Sequence, residues 1–366
     1  MASTGRLKLL FVSTPVGPIG SGRGGGVERT LANMVRELGR RGHQCTVIAP
    51  HGSRLAGTHV LEAAGTLQPY AQYQGRDAPV VLPAGTVLGA MWEMAASLQH
   101  QFDLILNLAY DWLPLYLTSF LRTPLLHLVS MGSLSDAMDE VICRVVQSYP
   151  TRAAVHTRVQ GGTFPCAALL RPIGTGMDLD LYPYNPAPAR RLCWVGRIAP
   201  EKGLEDAVAA SAATGIPLDV CGTLQDQLYW ADVLRRFPDA PLSYRGFLDT
   251  AGLAEVMGNS QALLMTPKWV EALGNVAIEA LACGTPVIAY RRGGPTEIVE
   301  DGRTGRLIEP DNVPDLIAAL QSVGTLDRRA CRVQAEREYS LPAWGERLEA
   351  WFAAALLGQA ETSRGR

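Results

Sequence analysis

Residues 7–49 read LKLLFVSTPVGPIGSGRGGGVERTLANMVRELGRRGHQCTVIA and contain the pattern that decides the fold. An apolar run of strand length, Leu7 to Ser13, precedes a loop rich in glycine and proline, and Val27 to Leu38 then repeats apolar residues at helical spacing. Cys45 to Ala49 has the length and composition of a second strand. This order predicts a β-α-β unit with parallel strands.

The alternation of apolar runs and helical stretches continues beyond this unit. Apolar runs that we interpret as further strands occur at Val80–Leu82, Leu104–Leu106 and Leu125–Val129. Between Pro172 and Pro188, four prolines and two glycines leave little room for regular structure, and we expect the domain boundary there. The first half is thus predicted to form a doubly wound parallel sheet.

The same pattern starts again after the boundary. Strands are predicted at Leu192–Val195, Leu218–Cys221, Leu263–Thr266 and Pro286–Tyr290, with helices at Leu204–Ala213 and Asn275–Ala282 and an amphipathic helix at Ala343–Leu357. We therefore predict an α/β protein with two Rossmann-like, doubly wound domains, residues 1–175 and 190–340, and a C-terminal helix within residues 341–366.

Composition limits the classes of function. The 366 residues include 33 Lys and Arg against 35 Asp and Glu, so the chain lacks the excess of basic side chains that binding to nucleic acid needs. Apolar residues make up 47% and charged residues 19%, which is typical of a globular protein with substantial cores. We expect small-molecule partners rather than nucleic acid.

The sequence predicts neither an export signal nor a transmembrane helix. Leu9–Val12 is too short for the apolar core of a signal peptide, and the long apolar stretch Leu104–Leu121 is interrupted by Asn107, Asp111 and Pro114. The seven cysteines are scattered and never spaced as C-x-x-C, which argues against a disulfide framework and against a zinc site. We expect buried thiols in a cytoplasmic protein.

The glycine-rich loop has two interpretations as a ligand site. Residues 20–26, GSGRGGG, formally match the dinucleotide pattern G-x-G-x-x-G through Gly20, Gly22 and Gly25. The loop is too long for that tight turn, however, and the second predicted strand ends without the acidic residue that a ribose requires. We favour an anion site at the backbone amides of Gly24, Gly25 and Gly26, where a helix begins. A flexible surface loop is the alternative.

Two cationic side chains follow the first strand of the second half. Residues 195–203 read VGRIAPEKG, which brings Arg197 and Lys202 to the carboxyl edge of the predicted sheet, where ligands of open α/β sheets bind. One planar and one compact cation suit a diphosphate whose charge rises as a bond to it breaks. A solvated pair of surface cations is the alternative.

Two glutamates occur in residues 271–284, EALGNVAIEALACG. On one continuous helix the backbones of Glu271 and Glu279 would be about 12 Å apart, too far for an acid/base pair and suited to two hydroxyl-bearing parts of one extended ligand. Gly274, just before the predicted helix that starts at Asn275, leaves the first amides free for phosphate.

Together, GGGVE (24–28), VGRIAPEKG (195–203) and CGTPVIAYRRGGPTEIVEDGRTGRLIEP (283–310) resemble the retaining nucleotide-sugar glycosyltransferases of family 4. The resemblance covers nearly the whole chain. It implies the GT-B fold, with the active site in the cleft between two domains, the donor on the second domain and the acceptor on the first. It also implies that the C-terminal helix packs back on the first domain.

The resemblance assigns a role to each of the singled-out residues. It implies Arg197 and Lys202 on the donor diphosphate, Glu279 on the ribose and Glu271 on the transferred sugar. The remaining implied contacts are backbone from Gly246 to Leu248 at the base, Leu273 beside Gly274 where the family often has phenylalanine, and His127 beside the sugar. A lone histidine after an apolar run is otherwise more often a core residue.

Residues 11–28, FVSTPVGPIGSGRGGGVE, are most similar to the branch of the family that transfers glucose from UDP-glucose to tetrahydrobiopterin. This implies a UDP-sugar donor, a pterin-like small-molecule acceptor and retention of configuration. The segments Tyr110–Trp112 and Ser130–Ser133 are compatible with a flat heterocycle, a sugar or a lipid head group. A nucleotide-sugar epimerase and a non-catalytic sugar-nucleotide-binding module are the alternatives.

We expect no cofactor and no metal. Asp178-Leu179-Asp180 spells D-x-D, a metal-binding pattern in another glycosyltransferase fold, but here it follows a G-T-G turn in the predicted linker. Arg197 and Lys202 would supply the positive charge instead.

Overall fold

The computed structural model describes residues 5–21, 25–71 and 75–364, with side chains described up to residue 358. The chain divides into two compact units, the first formed by residues 1–176 and 341–366 and the second by residues 177–340. Each unit is built on a parallel sheet with helices on both faces. The α/β class predicted from the alternating pattern is confirmed.

In the first unit, the described residues form a seven-stranded parallel sheet in the order β3-β2-β1-β4-β5-β6-β7. Its strands are β1 (Lys8–Val12), β2 (Gln44–Pro50), β3 (His59–Ala63), β4 (Leu104–Asn107), β5 (Leu125–Val129), β6 (Ala153–Val155) and β7 (Arg171–Pro172). Its first helices are α1 (Gly26–Arg40), α2 (Val87–Leu98), α3 (Trp112–Leu117), α4 (Asp136–Ser148) and α5 (Arg158–Gly161).

In the second unit, six parallel strands of the described chain follow the order β10-β9-β8-β11-β12-β13. They are β8 (Leu192–Val195), β9 (Leu218–Cys221), β10 (Leu242–Gly246), β11 (Ala262–Met265), β12 (Val287–Tyr290) and β13 (Gly305–Ile308). The helices are α6 (Leu204–Thr214), α7 (Gln227–Arg236), α8 (Thr250–Asn259), α9 (Asn275–Ala282), α10 (Pro295–Ile298), α11 (Val313–Gln321) and α12 (Arg328–Tyr339).

The last helix, α13 (Leu341–Arg364), packs against α1 in the first unit. Its apolar stripe is buried in the same core cluster as Leu31 and Leu38 of α1; the stripe consists of Trp344, Leu348, Trp351 and Phe352. The guanidinium of Arg41 lies 2.7 Å from the Glu349 carboxylate, which adds an ion pair at the edge of this contact. No helix of the described residues is both long and apolar enough to cross a membrane.

Two predictions about the first unit are wrong. Val80–Leu82 is not a strand: the three side chains are about half exposed and lie in the long connection between β3 and α2. The strand at this position in the topology is β3, which the sequence analysis missed because HVLEA contains a charge and only a short apolar run. Apolar runs therefore predict strands incorrectly where an edge strand is short and where a loop is apolar.

The prediction that all cysteines are unpaired thiols is also wrong. Cys143 of α4 and Cys166 form a disulfide, with their Cα atoms 5.3 Å apart. The two are 23 residues apart in sequence, and only the packing of α4 beside the segment after α5 brings them together. The five other cysteines are free thiols, as expected; they are Cys45, Cys193, Cys221, Cys283 and Cys331.

Candidate functional site

The predicted donor residues of the second unit lie at the carboxyl ends of β8 and β11. These strands are neighbours, and β9 lies on the other side of β8, so the chain order reverses at this point of the sheet. Arg197 and Lys202 follow β8, and Glu271 follows β11. Ligands of open α/β sheets bind outside the carboxyl ends of the strands at such a switch point.

Lys202 and Glu271 form an ion pair at this edge. The Lys202 Nζ lies 2.6 Å from Glu271 Oε2, and both side chains are mostly buried. The indole Nε1 of Trp269 donates a hydrogen bond of 3.2 Å to the same carboxylate oxygen, and the Lys202 ammonium lies 4.8 Å from the centre of the Trp269 ring. The three side chains therefore form one cluster, although the sequence analysis gave Lys202 and Glu271 separate parts of the ligand.

The position of Lys202 depends on a close backbone approach at Gly203. This glycine has φ of 65°, and a Cβ built there would lie 2.0 Å from the carbonyl oxygen of Thr266. The Thr266 hydroxyl donates a 2.7 Å hydrogen bond to the carbonyl of Gly203, and the amide of Lys268 donates one of 2.9 Å to the carbonyl of Glu201. Only glycine fits here, because a side chain would push the loop after β8 away from the end of β11.

Glu271 is held from the other side by the glycines after β12. The amide of Gly294 donates a 2.6 Å hydrogen bond to the Glu271 carbonyl, and a Cβ on Gly293 would lie 2.2 Å from that same oxygen. Both glycines belong to the segment 283–310, and the sequence alone predicted no role for them. Their function is to let two loops meet without side chains between them.

Arg197 lies beside this cluster but is more exposed. Its guanidinium forms a 2.9 Å ion pair with Glu201 and a short hydrogen bond with Gln225. Both partners come from the carboxyl edge of the sheet, after β8 and β9 respectively. The partners hold the cation at the edge at which the sequence predicts a diphosphate.

Glu271 and Glu279 do not share a helix. The helix α9 begins at Asn275, after Gly274 with φ of 88°, so that Glu271 lies in the preceding loop, whereas Glu279 lies inside the helix with 2% of its surface exposed. No side chain of the described chain caps α9, and Leu273 is buried just before it. Because no side chain caps this first turn, the start of the helix is compatible with the predicted phosphate-binding role.

The segment predicted to face the base lies at the end of β10. Gly246 ends this strand with φ of 73°, Phe247 is exposed and Leu248 is half-buried. Because β10 pairs with β9, which pairs with β8, this backbone lies along the same edge as Arg197, two strands further out. The order of strands thus aligns the predicted base, diphosphate and sugar contacts along one edge.

In the first unit, the glycine-rich loop leads into α1 as predicted. Gly25, with φ of 55°, is the N-cap and Gly26 is the first helical residue. The carboxylate of Glu28 accepts a 2.8 Å hydrogen bond from the amide of Gly20 and so fixes the start of the loop. Gly22 and Gly24, which the sequence analysis also named, lie outside the described residues.

His127 belongs to the strand predicted at Leu125–Val129, and its side chain is part of the core. It lies inside β5, is 1% exposed, and has both ring nitrogens in hydrogen-bond contact, with Asn107 Nδ2 at 3.2 Å and Thr118 Oγ1 at 2.8 Å. Burial lowers its pKa to about 3, so the ring is neutral. In this structure His127 is a satisfied core histidine, and its predicted catalytic role stays a prediction.

A pocket opens in the first unit at the carboxyl end of β4. Three segments line it: the β3–α2 connection, Tyr110–Trp112 after β4, and residues 134–138 at the start of α4. The order of strands in the first sheet also reverses at this point, because β1 has β2 on one side and β4 on the other. Tyr110–Trp112 was a predicted acceptor segment, whereas the other two segments are distant from it in sequence and only the fold brings them together.

The D-x-D segment lies at the start of the second unit. Residues 179–181 form a single helical turn in which Leu179 is buried and Asp180 is exposed. Across the described residues, no group of three or more His, Cys, Asp and Glu side chains is arranged to hold a metal ion.

Comparisons with known proteins agree with the observed topology. Residues 185–337 match the family model for glycosyl transferases group 1, and residues 24–129 match that for glycosyltransferase family 4. The crystal structure of Anabaena Alr3699/HepE in complex with UDP superimposes with a TM-score of 0.73 at 18% identity and covers 93% of this chain and 98% of that chain. AviGT4, a glycosyltransferase involved in avilamycin A biosynthesis, does so with a TM-score of 0.69 at 20% identity, over 96% and 98% of the two chains.

Two curated relatives have similar sequences. Glycogen synthase of Mycobacterium tuberculosis is 28% identical over 244 residues, and this chain spans only 59% of its length. D-inositol 3-phosphate glycosyltransferase of Rhodococcus opacus is 28% identical over 386 aligned positions, which cover 90% of this chain and 85% of the relative. The chain thus has the fold of the GT-B glycosyltransferase structures, and its two halves are similar to two glycosyltransferase family models.

Proposed function

We propose that the protein transfers a hexose, glucose in the first instance, from a UDP-sugar to a hydroxyl of a small-molecule acceptor. The observation that carries the proposal is the Lys202–Glu271 pair at the switch point of the second sheet, with Arg197 on one side and the uncapped start of α9 on the other. A diphosphate needs cations and free amides, and a hexose needs hydroxyl acceptors; this edge offers both.

The fold relatives support the choice of donor. Structures of Anabaena Alr3699/HepE carry UDP, UDP with glucose, and UDP-glucose, and each has the same fold as this chain. On that basis Arg197 and Lys202 bind the diphosphate, Glu271 the hexose, Glu279 the ribose, and the backbone at Leu248 the base. Leu273, Gly274 and Asn275 form the turn that presents the first amides of α9.

The ion pair explains how the site is kept ready for the donor. Without a ligand the Lys202 ammonium neutralises Glu271, so neither charge is left alone in a mostly buried position. When a diphosphate binds, Lys202 exchanges the carboxylate for phosphate oxygens, and Glu271 becomes free to accept hydrogen bonds from sugar hydroxyls. Donor binding and sugar orientation would thus be coupled through one side chain.

We further propose that transfer retains the anomeric configuration and requires no metal. With the donor bound, the Glu271 carboxylate accepts hydrogen bonds from Trp269 Nε1 and from the sugar hydroxyls rather than acting as a nucleophile, which favours departure and attack on the same face of the sugar. Leaving-group charge is stabilised by the two cations. The buried, fully hydrogen-bonded His127 has no part in this proposal.

The first unit is proposed to hold the acceptor, with Gly25 and Gly26 at the start of α1 facing developing charge. A pterin, the acceptor that the glycine-rich loop suggests, is one member of the proposed class of small-molecule acceptors. We also propose that the protein acts in the cytoplasm.

Product analysis tests this function. The purified protein is incubated with UDP-glucose and a panel of pterins, sugars and polyols, with and without EDTA, and the products are identified by mass and by the anomeric coupling constant in NMR. We expect UDP and an α-linked glucoside, equally with EDTA. An epimerised donor without glycoside would instead indicate an epimerase, and binding of UDP-glucose without any product a non-catalytic module.

A further inference from the structure

Lys268 is a further cation at the carboxyl edge of the second sheet. It follows β11, in the segment that leads to Glu271, and the sequence alone predicts no role for it. Its ammonium forms a short hydrogen bond with the carboxylate of Asp206 and lies 2.9 Å from Asp311 Oδ1. The side chain is mostly buried, and both partners are acidic. This cation is therefore paired within the protein rather than left for a phosphate.

The two carboxylates that bind Lys268 are held by other side chains as well. The hydroxyl of Tyr290, at the end of β12, donates a 2.6 Å hydrogen bond to Asp206 Oδ2. The guanidinium of Arg292 donates one of 2.8 Å to Asp311 Oδ2. Burial acts to lower the pKa of Lys268, but its hydrogen bonds to the two carboxylates outweigh burial and raise the pKa. The charged ammonium thus joins the first turn of α6 to the turn between β13 and α11.

Asp311 has an unusual backbone conformation. Its φ is 65°, and it is the only residue other than glycine with a positive φ in the part of the chain that the structure describes. Aspartate is one of the few residues that adopt this left-handed conformation, which still costs free energy. Such a conformation persists where the surrounding contacts determine it, and here Lys268 and Arg292 bind the two carboxylate oxygens.

Lys268 holds the chain on both sides of Lys202. Its amide donates a 2.9 Å hydrogen bond to the carbonyl of Glu201, and its ammonium binds Asp206 in the first turn of α6. Only a short segment lies between these two contacts: Lys202 itself, Gly203 and the start of α6. Loss of the ammonium would release the contact that follows Lys202 and leave the contact that precedes it.

We propose that Lys268 is a positioning residue for Lys202: by fixing the chain before and after Lys202, it sets the place of that ammonium against the donor diphosphate. The inference rests on the proposed function, in which Lys202 binds the diphosphate. A cation stabilises the charge that develops on a leaving group most when it is already in place, because no reorganisation is then needed during the reaction. A displacement of about 1 Å can lower turnover by about 100-fold.

A double-mutant cycle tests this role. Lys268→Met keeps the aliphatic part of the side chain and removes the ammonium. We expect it to lower turnover about 10- to 100-fold and UDP affinity only about 3-fold, because the charge that Lys202 stabilises grows during the reaction. In a Lys202→Ala background the same substitution should change turnover by less than about 3-fold, since the residue that it positions is absent.

A second variant reaches the same contact from the other side. Asp311→Asn retains a residue that adopts positive φ and removes one of the two carboxylates that bind Lys268. We expect a smaller loss of turnover, about 3- to 10-fold, that again disappears in Lys202→Ala. This variant keeps the test decisive if Lys268→Met does not fold.

Two control variants separate positioning from stability. Lys268→Arg retains a positive charge near both carboxylates and should keep turnover within about 5-fold of wild type. Arg337→Met removes a cation that has two carboxylate partners in the same unit, Glu300 and Glu338, and should leave turnover and UDP affinity unchanged. Thermal melting shows whether each variant is folded at the assay temperature.

The possible results distinguish this inference from the proposed function. Wild-type turnover in a folded Lys268→Met, or equal losses from this substitution with and without Lys202, would overturn the inference while glucose transfer by the wild type leaves the proposed function intact. A wild type that binds UDP-glucose and forms no glycoside would overturn the proposed function. The cycle is then measured on UDP affinity, and a loss from Lys268→Met that persists in Lys202→Ala would overturn the inference too.

Discussion

Lys202 and Glu271 are joined by a 2.6 Å ion pair although they follow different strands, β8 and β11, and are 69 residues apart. The pair is enclosed by Trp269 and supported by glycine contacts on both sides. It links the two halves of the proposed donor site, so changes to either residue should affect the other in a defined direction.

Replacing Lys202 should impair catalysis more than binding. Lys202→Ala removes a charge-assisted contact from an oxygen that gains negative charge, for which about 10²- to 10³-fold losses in turnover are typical. UDP affinity should fall as well. Steady-state rates and calorimetry with UDP measure both, with the exposed Arg235→Ala as the matched control in the same unit. Wild-type turnover in Lys202→Ala would mean that the donor binds elsewhere.

The two glutamates should behave differently. Glu271→Ala frees Lys202 from its partner, so UDP affinity should be unchanged or higher while turnover falls, because the hexose loses its orienting contact. Glu279→Ala should weaken UDP and UDP-sugar by a similar factor of about 10 to 100, the loss expected for hydrogen bonds to a charged group. Calorimetry on both variants decides this, with thermal melting as a check on folding. A matching loss of UDP affinity in both would refute the separate roles.

Gly203 and Gly215 provide a matched pair of substitutions. Both residues have a left-handed backbone conformation, with φ of 65° and 64°. A Cβ at Gly203 would lie 2.0 Å from the Thr266 carbonyl oxygen, whereas a Cβ at Gly215 would have no atom within 4 Å. Gly215→Ala should cost only the conformational penalty of about 1–2 kcal/mol. Gly203→Ala should cost more, about 4 kcal/mol, because backbone must move. Denaturant unfolding measures both, and equal losses would show that the close approach is unimportant.

The disulfide predicts a thiol count and a stability change. In denaturant without reductant, five thiols should react with a thiol reagent, and seven after reduction. Closing a loop across 23 residues should stabilise the oxidised protein by about 3 kcal/mol relative to the reduced one. The double variant Cys143→Ser/Cys166→Ser serves as a control that reductant should not affect. Seven reactive thiols before reduction would contradict the assignment.

Asp111 should give the protein a specific pH dependence of stability. Burial raises its folded-state pKa to about 6, above the ordinary value of 3.8, so the unfolded chain ionises first as pH rises. Its favourable contribution is therefore complete below the unfolded pKa, and it is lost as pH rises from about 4 through 6. The difference in unfolding free energy between wild type and Asp111→Asn should change across this window in that direction. A pH-independent difference would refute the raised pKa.

The sequence by itself determined the two parallel α/β sheets. A strand that is buried on both faces, such as Leu104–Leu106, can be predicted from its continuous apolar run alone. The segment Val27–Leu38 can be predicted as a helix because its apolar residues recur at helical spacing. The residues of the proposed donor site were also visible, because Arg197, Lys202 and Glu271 stand directly after strands or beside glycine-rich turns. Such local signals depend on neighbours within a few positions of the chain.

The tertiary structure alone decided which of these residues meet. The Lys202–Glu271 pair depends on β8 and β11 being adjacent, and the disulfide depends on α4 lying beside the segment after α5; neither adjacency is encoded at any short spacing. The apolar sequence around His127 does not distinguish an active-site histidine from a core histidine. Its position inside β5 shows that the side chain is buried. Contacts between distant segments arise from the packing of whole helices and strands. A sequence pattern identifies these elements but does not show which of them are neighbours in the fold.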